Sequence, residues 1–116
     1  MITLHLPFPI STNAIWRKGK GRTFKSKKYV AWIKEADGCF LEQGGNRLPK
    51  IKGRFVATIT LSDQRRGSCD ADNFNKGVLD FLQRVNVIAN DKFSDRVTVE
   101  WGPAPAGCTV TITPVE

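Results

Sequence analysis

Residues 54–85 read RFVATITLSDQRRGSCDADNFNKGVLDFLQRV, and two hydrophobic periods meet inside this stretch. Over 54–61, Phe55, Ala57, Ile59 and Leu61 alternate with Val56, Thr58 and Thr60, so both faces are apolar or β-branched. Such a strand belongs inside a sheet. Over 72–85, Phe74, Val78, Phe81, Leu82 and Val85 fall at i, i+4, i+7, i+8 and i+11, the apolar stripe of an amphipathic helix. Strand, polar loop and helix in succession predict an α/β domain.

Toward the N-terminus, Ser26 is placed to cap a helix running to about Gln43, with Tyr29, Ile33, Ala36 and Phe40 at helical spacing and Gly44-Gly45 as the stop. Gly38 within it costs about 1 kcal/mol relative to Ala. Residues 2–6 alternate as a strand that ends at Pro7 and Pro9. Toward the C-terminus, Val97–Trp101 and Cys108–Thr113 alternate around Gly-Pro-Ala-Pro-Ala-Gly, which predicts a closing hairpin. The expected order is β-α-β-α-β-β: a mixed sheet covered by two helices, one domain over residues 1–116, without repeat or linker.

A chain of 116 residues has room for one such core and not two. No apolar run approaches the roughly 18 residues of a membrane span. The opening MITLHLPFPI lacks the basic region and cleavage site of a signal peptide, so a soluble cytoplasmic protein without a membrane partner is expected. Cys39, Cys69 and Cys108 are odd in number and widely spaced, which predicts reduced thiols rather than a disulfide framework or zinc site. His5 is the only histidine and sits on the polar side of its strand, so chemistry needing paired imidazoles is excluded.

The net charge of +7 is segregated. Residues 1–54 carry twelve bases and three acids, against six bases and eight acids in 55–116. The densest part holds Arg17, Lys18, Lys20, Arg22, Lys25, Lys27 and Lys28 without one acid, interleaved with glycines and flanked by Trp16 and Phe24. A solvated surface is one reading. The glycines favour a mobile arm instead, one that meets a phosphate backbone and lets the aromatics stack on unpaired bases.

Acids collect where strand gives way to helix. Asp70 and Asp72 are placed to cap the helix, and Asp72 is spaced for an ordinary i,i+4 pair with Lys76. Asn90-Asp91 follows after the helix and supplies a further carboxylate. Three carboxylates brought within about 4 Å of one another would repel by about 4 kcal/mol per pair at an effective dielectric of 20, so such a cluster would need a cation. Mg²⁺, with Mn²⁺ as substitute, suits oxygen ligands and phosphate chemistry. Lys76 is placed to stabilise charge on a scissile phosphate, and Arg65 and Arg66 to hold neighbouring ones. The combination describes phosphodiester hydrolysis.

The text Asp70-x-Asp72-Asn73-x-x-Lys76, Asp80 in the helix and Asp91 ahead of the last strands resembles the RusA family of Holliday junction resolvases. The opening Pro7-x-Pro9-x-Ser11-x-Asn13-x-x-x-Arg17, then Gly21-Arg22-Thr23, is similar to that family's N-terminal block. The likeness runs from about Leu4 to Ile112. It implies an intertwined or two-fold homodimer that binds four-way junction DNA and makes paired symmetric nicks with Mg²⁺. It further implies that Asp70, Asp72 and Asp91 hold the metal, that Lys76 assists, that Asn73 supports the cluster, and that Asn13, Arg17 and the basic arm meet DNA. Asn90 stands where the family often has a second acid, so Asp91 and Asp95 both remain candidates for the third carboxylate. The Gly-Ser-Cys before Asp70 is less basic than is common. Two rivals remain: a non-catalytic nucleic-acid-binding module in which the acids are caps, and a nuclease of branched DNA generally. Trp32 and Phe93 are expected in the core, with a dimer interface as the alternative.

Overall fold

The structure, a computed structural model, describes residues 1–19, 21–67, 71 and 74–115, with the backbone alone at 13, 17 and 22. The elements run β1 (Ile2–Pro7), α1 (Thr12–Ile15), β2 (Trp16–Gly19), β3 (Arg22–Lys25), α2 (Lys27–Glu42), β4 (Phe55–Ser62), α3 (Asn75–Arg84), β5 (Ser94–Gly102) and β6 (Gly107–Pro114). Four strands form one mixed sheet in the order β1-β6-β4-β5. The doubly apolar strand β4 lies inside it, as its sequence requires, with β5 parallel on one side and β6 antiparallel on the other. Among the described residues no helix is long and apolar enough to cross a membrane.

The last two strands do not form the expected hairpin: β4 lies between them. α3 carries the chain from the end of β4 back to the start of β5, which makes the pair parallel. β6 then lies on the other side of β4, between it and β1, so its connection from β5 spans two strand spacings, roughly 10 Å, beyond the reach of a two-residue turn. Pro103, Pro105 and Gly107 make that longer path. Gly107 has φ +120°, and a Cβ there would sit 2.5 Å from the backbone nitrogen of Phe8.

The basic stretch is not a bare arm either. β2 and β3 pair antiparallel, Trp16 opposite Lys25 and Lys18 opposite Thr23, with Gly21 at φ +77° in the turn. Thr23 and the flanking aromatics favour extended backbone, and the left-handed glycine closes the turn. Ser26 fastens the base of this hairpin: its N–H donates to Ile15 O (2.8 Å) and its hydroxyl to Ala14 O (2.5 Å).

The same Ser26 hydroxyl accepts from the Tyr29 N–H (3.2 Å), the expected N-cap of α2. Gly44, at φ +72°, ends the helix. Because the buried hydroxyl serves both partners, Ser26→Ala is expected to cost about 1–2 kcal/mol, checked by urea unfolding at unchanged m.

Tyr29, Trp32, Ile33, Ala36 and Phe40 of α2 and Val78, Leu79, Phe81 and Leu82 of α3 cover one face of the sheet. Trp32 is core, with its indole N–H donating to Pro7 O (3.1 Å), and Phe93 packs partly buried against the same core. α3 starts at Asn75, three residues later than its apolar stripe suggests. His5 is exposed on β1, its ring 3.2 Å from the Thr109 hydroxyl, and Gln43 closes that sheet edge by bonding both the N–H and the carbonyl of His5 at 2.6 Å. Burial pushes the Cys108 thiol up to about 12 and raises that of Cys39, so neither is a reactive thiolate at neutral pH. Cys69 lies outside the described residues.

Candidate active site

One turn of α3 brings Lys76 and Asp80 onto the same face, since residues four apart are neighbours on a helix. Lys76 Nζ lies 3.0 Å from Asp80 Oδ1. The chain then leaves α3, passes Ile88 beside Ile51 and returns in a 3-10 turn, Asp91–Phe93, which sets Asp91 Oδ2 3.4 Å from the same ammonium. Two bonds hold the turn. The Asp91 N–H donates to Gln83 Oε1 (3.2 Å), and the Asn90 side chain accepts from the Lys92 N–H (3.0 Å). Asn90 thus works as the cap that presents Asp91.

Lys76 therefore serves two carboxylates at once. Its hydrogen bond to Asp80 is the main cause that raises its pKa above the ordinary lysine value, with partial burial opposing and Asp91 adding to the rise. The sign follows: the pair contributes stability fully below the unfolded-state value near 10.4 and loses it as pH rises through the higher folded value. Since the side chain is 49% exposed, the contribution is small. Melting curves of the wild type and Lys76→Met are expected to differ by a constant small amount from pH 7 to about 10 and to converge above that range.

The sequence alone assigned Asp80 no role of its own, although its i,i+4 spacing from Lys76 is the signal that finds it. Asp95, the alternative third carboxylate, is taken by Arg54 in a two-point ion pair at 2.9 and 2.5 Å. Arg54 correspondingly holds the Asp95 carboxyl below its usual range. Asp70, Asp72 and Asn73 lie outside the described residues, and Phe74 is buried at the head of α3. Among the described residues no three metal-ligating side chains cluster. The donors present are hard carboxylate oxygens, two against one ammonium, which leaves a net negative charge that suits a hard cation.

Of the basic residues, Lys25 shares a cavity lining with Asp80. Lys18 and Lys25 are exposed on the β2-β3 hairpin, and Lys27 and Lys28 on the first turn of α2. A helix dipole disfavours lysines at that end by about 0.3–1 kcal/mol each, so they are not there for helix stability. Arg66 is exposed, and the Arg65 guanidinium lies 4.2 Å above the Phe8 ring. Lys20 and the side chains of Asn13, Arg17 and Arg22 lie outside the description.

Two carboxylates on one lysine, in a basic chain with a small α/β frame, are compatible with phosphodiester chemistry. The model of the endodeoxyribonuclease RusA family matches residues 7–113, nearly the whole length, and the chain belongs to that family. No curated protein matches the sequence. Membership makes this chain an endodeoxyribonuclease of the group that resolves Holliday junctions.

Proposed function

We propose that the protein is a homodimeric, Mg²⁺-dependent Holliday junction resolvase, acting in the cytoplasm on recombination and repair intermediates by paired symmetric phosphodiester hydrolysis. The observation that carries this reading is Lys76 holding Asp91, from a separate turn, onto the face of α3 that follows Asp70 and Asp72 in sequence. In this reading Asp70, Asp72 and Asp91 hold the ion, with Mn²⁺ as substitute, and Asn73 supports them. When bound, such an ion lowers the charge cost of bringing phosphate to carboxylates and makes water a better nucleophile there.

The rest is done by the chain. Lys76 keeps its proton across the neutral range and meets charge developing on the scissile phosphate. Gln83 and Asn90 keep Asp91 in place. Asn13, Arg17, Lys18, Lys20, Arg22, Lys25, Lys27 and Lys28 grip the DNA arms together with Arg65 and Arg66. A two-fold dimer presents two sites related as the two cuts of a junction must be.

A synthetic four-way junction with each strand labelled tests the proposal. Mg²⁺ should give paired nicks on strands of like polarity, chelation should stop them, and Asp72→Asn should bind without cutting. Binding without scission in Mg²⁺ or Mn²⁺ would establish the binding-module alternative. Equal rates on flaps and forks would establish a general branched-DNA nuclease.

A further inference from the structure

Beside the lysine-centred acids lies a cavity of about 300 Å³ that none of the assigned roles uses. Tyr29 and Ile33 of α2 form its floor, Asp80, Gln83 and Arg84 of α3 one wall, and Trp16 and Lys25 of the hairpin the other. Two of these residues already belong to the site: Asp80 pairs with Lys76, and Gln83 holds the Asp91 backbone. Anything seated in the cavity is thus one side chain from Lys76 and from the Asp91 turn.

The lining specifies its occupant. Trp16, 46% exposed, offers an indole at the rim. Below it the Tyr29 ring is backed by Trp32, stacked at 6.2 Å with 10° between planes, and Lys25 Nζ lies 5.9 Å from its centroid. At the far wall Asp80 is a hydrogen-bond acceptor, and the Gln83 amide nitrogen is a donor, its oxygen being occupied by Asp91. An aromatic face with a donor and an acceptor at its end matches the flat ring and pairing edge of a nucleobase. Lys25 suits the phosphate that comes with it. The volume is ample for one base.

We infer that this cavity takes a single unpaired nucleobase adjoining the scissile phosphate, with Trp16 as its stacking residue. Bases inside a continuous duplex are paired and stacked and do not reach such a pocket. Next to a branch point they open at the least cost, so the pocket favours branched over linear DNA at the cutting step. The inference rests on the proposed junction-cleaving function and goes beyond it by naming what is read beside the cut.

The test is a cycle between protein and DNA. Single-turnover cleavage of a four-way junction in Mg²⁺ is measured for the wild type, Trp16→Ala and Trp16→Phe. Each enzyme receives the intact junction and junctions carrying an abasic residue on either side of the mapped scissile phosphate. Loss of one stacked base is expected to slow Trp16→Ala on the intact junction by roughly 10- to 100-fold, mainly in kcat. Trp16→Phe should recover most of the rate. On the junction lacking the recognised base, wild type and Trp16→Ala should cut alike. An unchanged Trp16→Ala penalty on every abasic junction would overturn the inference, because a residue acting on the fold or the DNA backbone behaves that way. Trp16→Leu, which keeps apolar bulk without an aromatic face, serves if Trp16→Ala melts early, and full activity in it would also overturn the inference. Failure of the wild type to cut any junction would overturn the functional proposal itself, a result distinct from a wild type that cuts and a variant that matches it.

Discussion

Asp91→Asn is expected to slow junction cleavage at least about 100-fold while binding and melting temperature stay close to the wild type, because the two quantities depend on different properties of this side chain. Stability depends on its pairing with Lys76 at 3.4 Å across a half-exposed surface, worth about 0–1 kcal/mol. Lys76 keeps Asp80 in any case, and the Asp91 N–H bond to Gln83 comes from the backbone, which the substitution preserves. In the proposed reading, catalysis depends on its charge. A neutral amide of the same shape is a poor ligand for a divalent ion and gives no electrostatic hold on it, a loss of several kcal/mol in the transition state at about 1.4 kcal/mol per tenfold. Asp95→Asn is the matched control. It removes the Arg54 partner and should leave the cleavage rate within about 2-fold, since that pair is separate from Lys76 and exposed pairs contribute little. Equal rates for Asp91→Asn and the wild type, or a collapse in Asp95→Asn, would reverse the assignment of the third carboxylate.

Phe81→Ala is expected to lose about 3–5 kcal/mol and at least about 10 °C in melting temperature, enough to endanger a domain whose total stability is about 5–15 kcal/mol. Phe81 is 1% exposed and meets two rings of α2 edge-on, Trp32 at 5.5 Å and Phe40 at 6.2 Å. Truncation removes those contacts and leaves a ring-sized hole between the helices. The same helix presents Lys76, Asp80 and Gln83 on its outer side, so loosening Phe81 also loosens the site. Thermal unfolding followed by circular dichroism measures the loss; a melting point within a few degrees of the wild type would contradict the packing between α2 and α3.

Much of this was legible from residue order, and the failures have a common cause. α2 ends where its cap and glycine signals lie, because Ser26 and Gly44 act on groups within a few residues. β4 lies inside the sheet because both its faces demand cover. The closing hairpin was wrong because alternation in β5 and β6 reports that they are strands, not which strand each meets. The basic arm proved to be a hairpin because its glycines, read as flexibility, are what a tight turn requires.

Within the site the division is the same. Lys76 and Asp80 sit one helical turn apart, and a helix of any origin would bring them together. Asp91 reaches that ammonium only because the chain folds back after α3, and Asp95 is withdrawn by Arg54, forty-one positions earlier, because β4 and β5 pair side by side. The order of residues by itself determined the elements, the basic front half and the candidate acids, since periodicity, capping and charge act over a few residues. The neighbour of each strand, the carboxylate that faces Lys76 and the cavity between hairpin and helices were decided only by tertiary structure, where packing joins parts of the chain that local rules cannot relate.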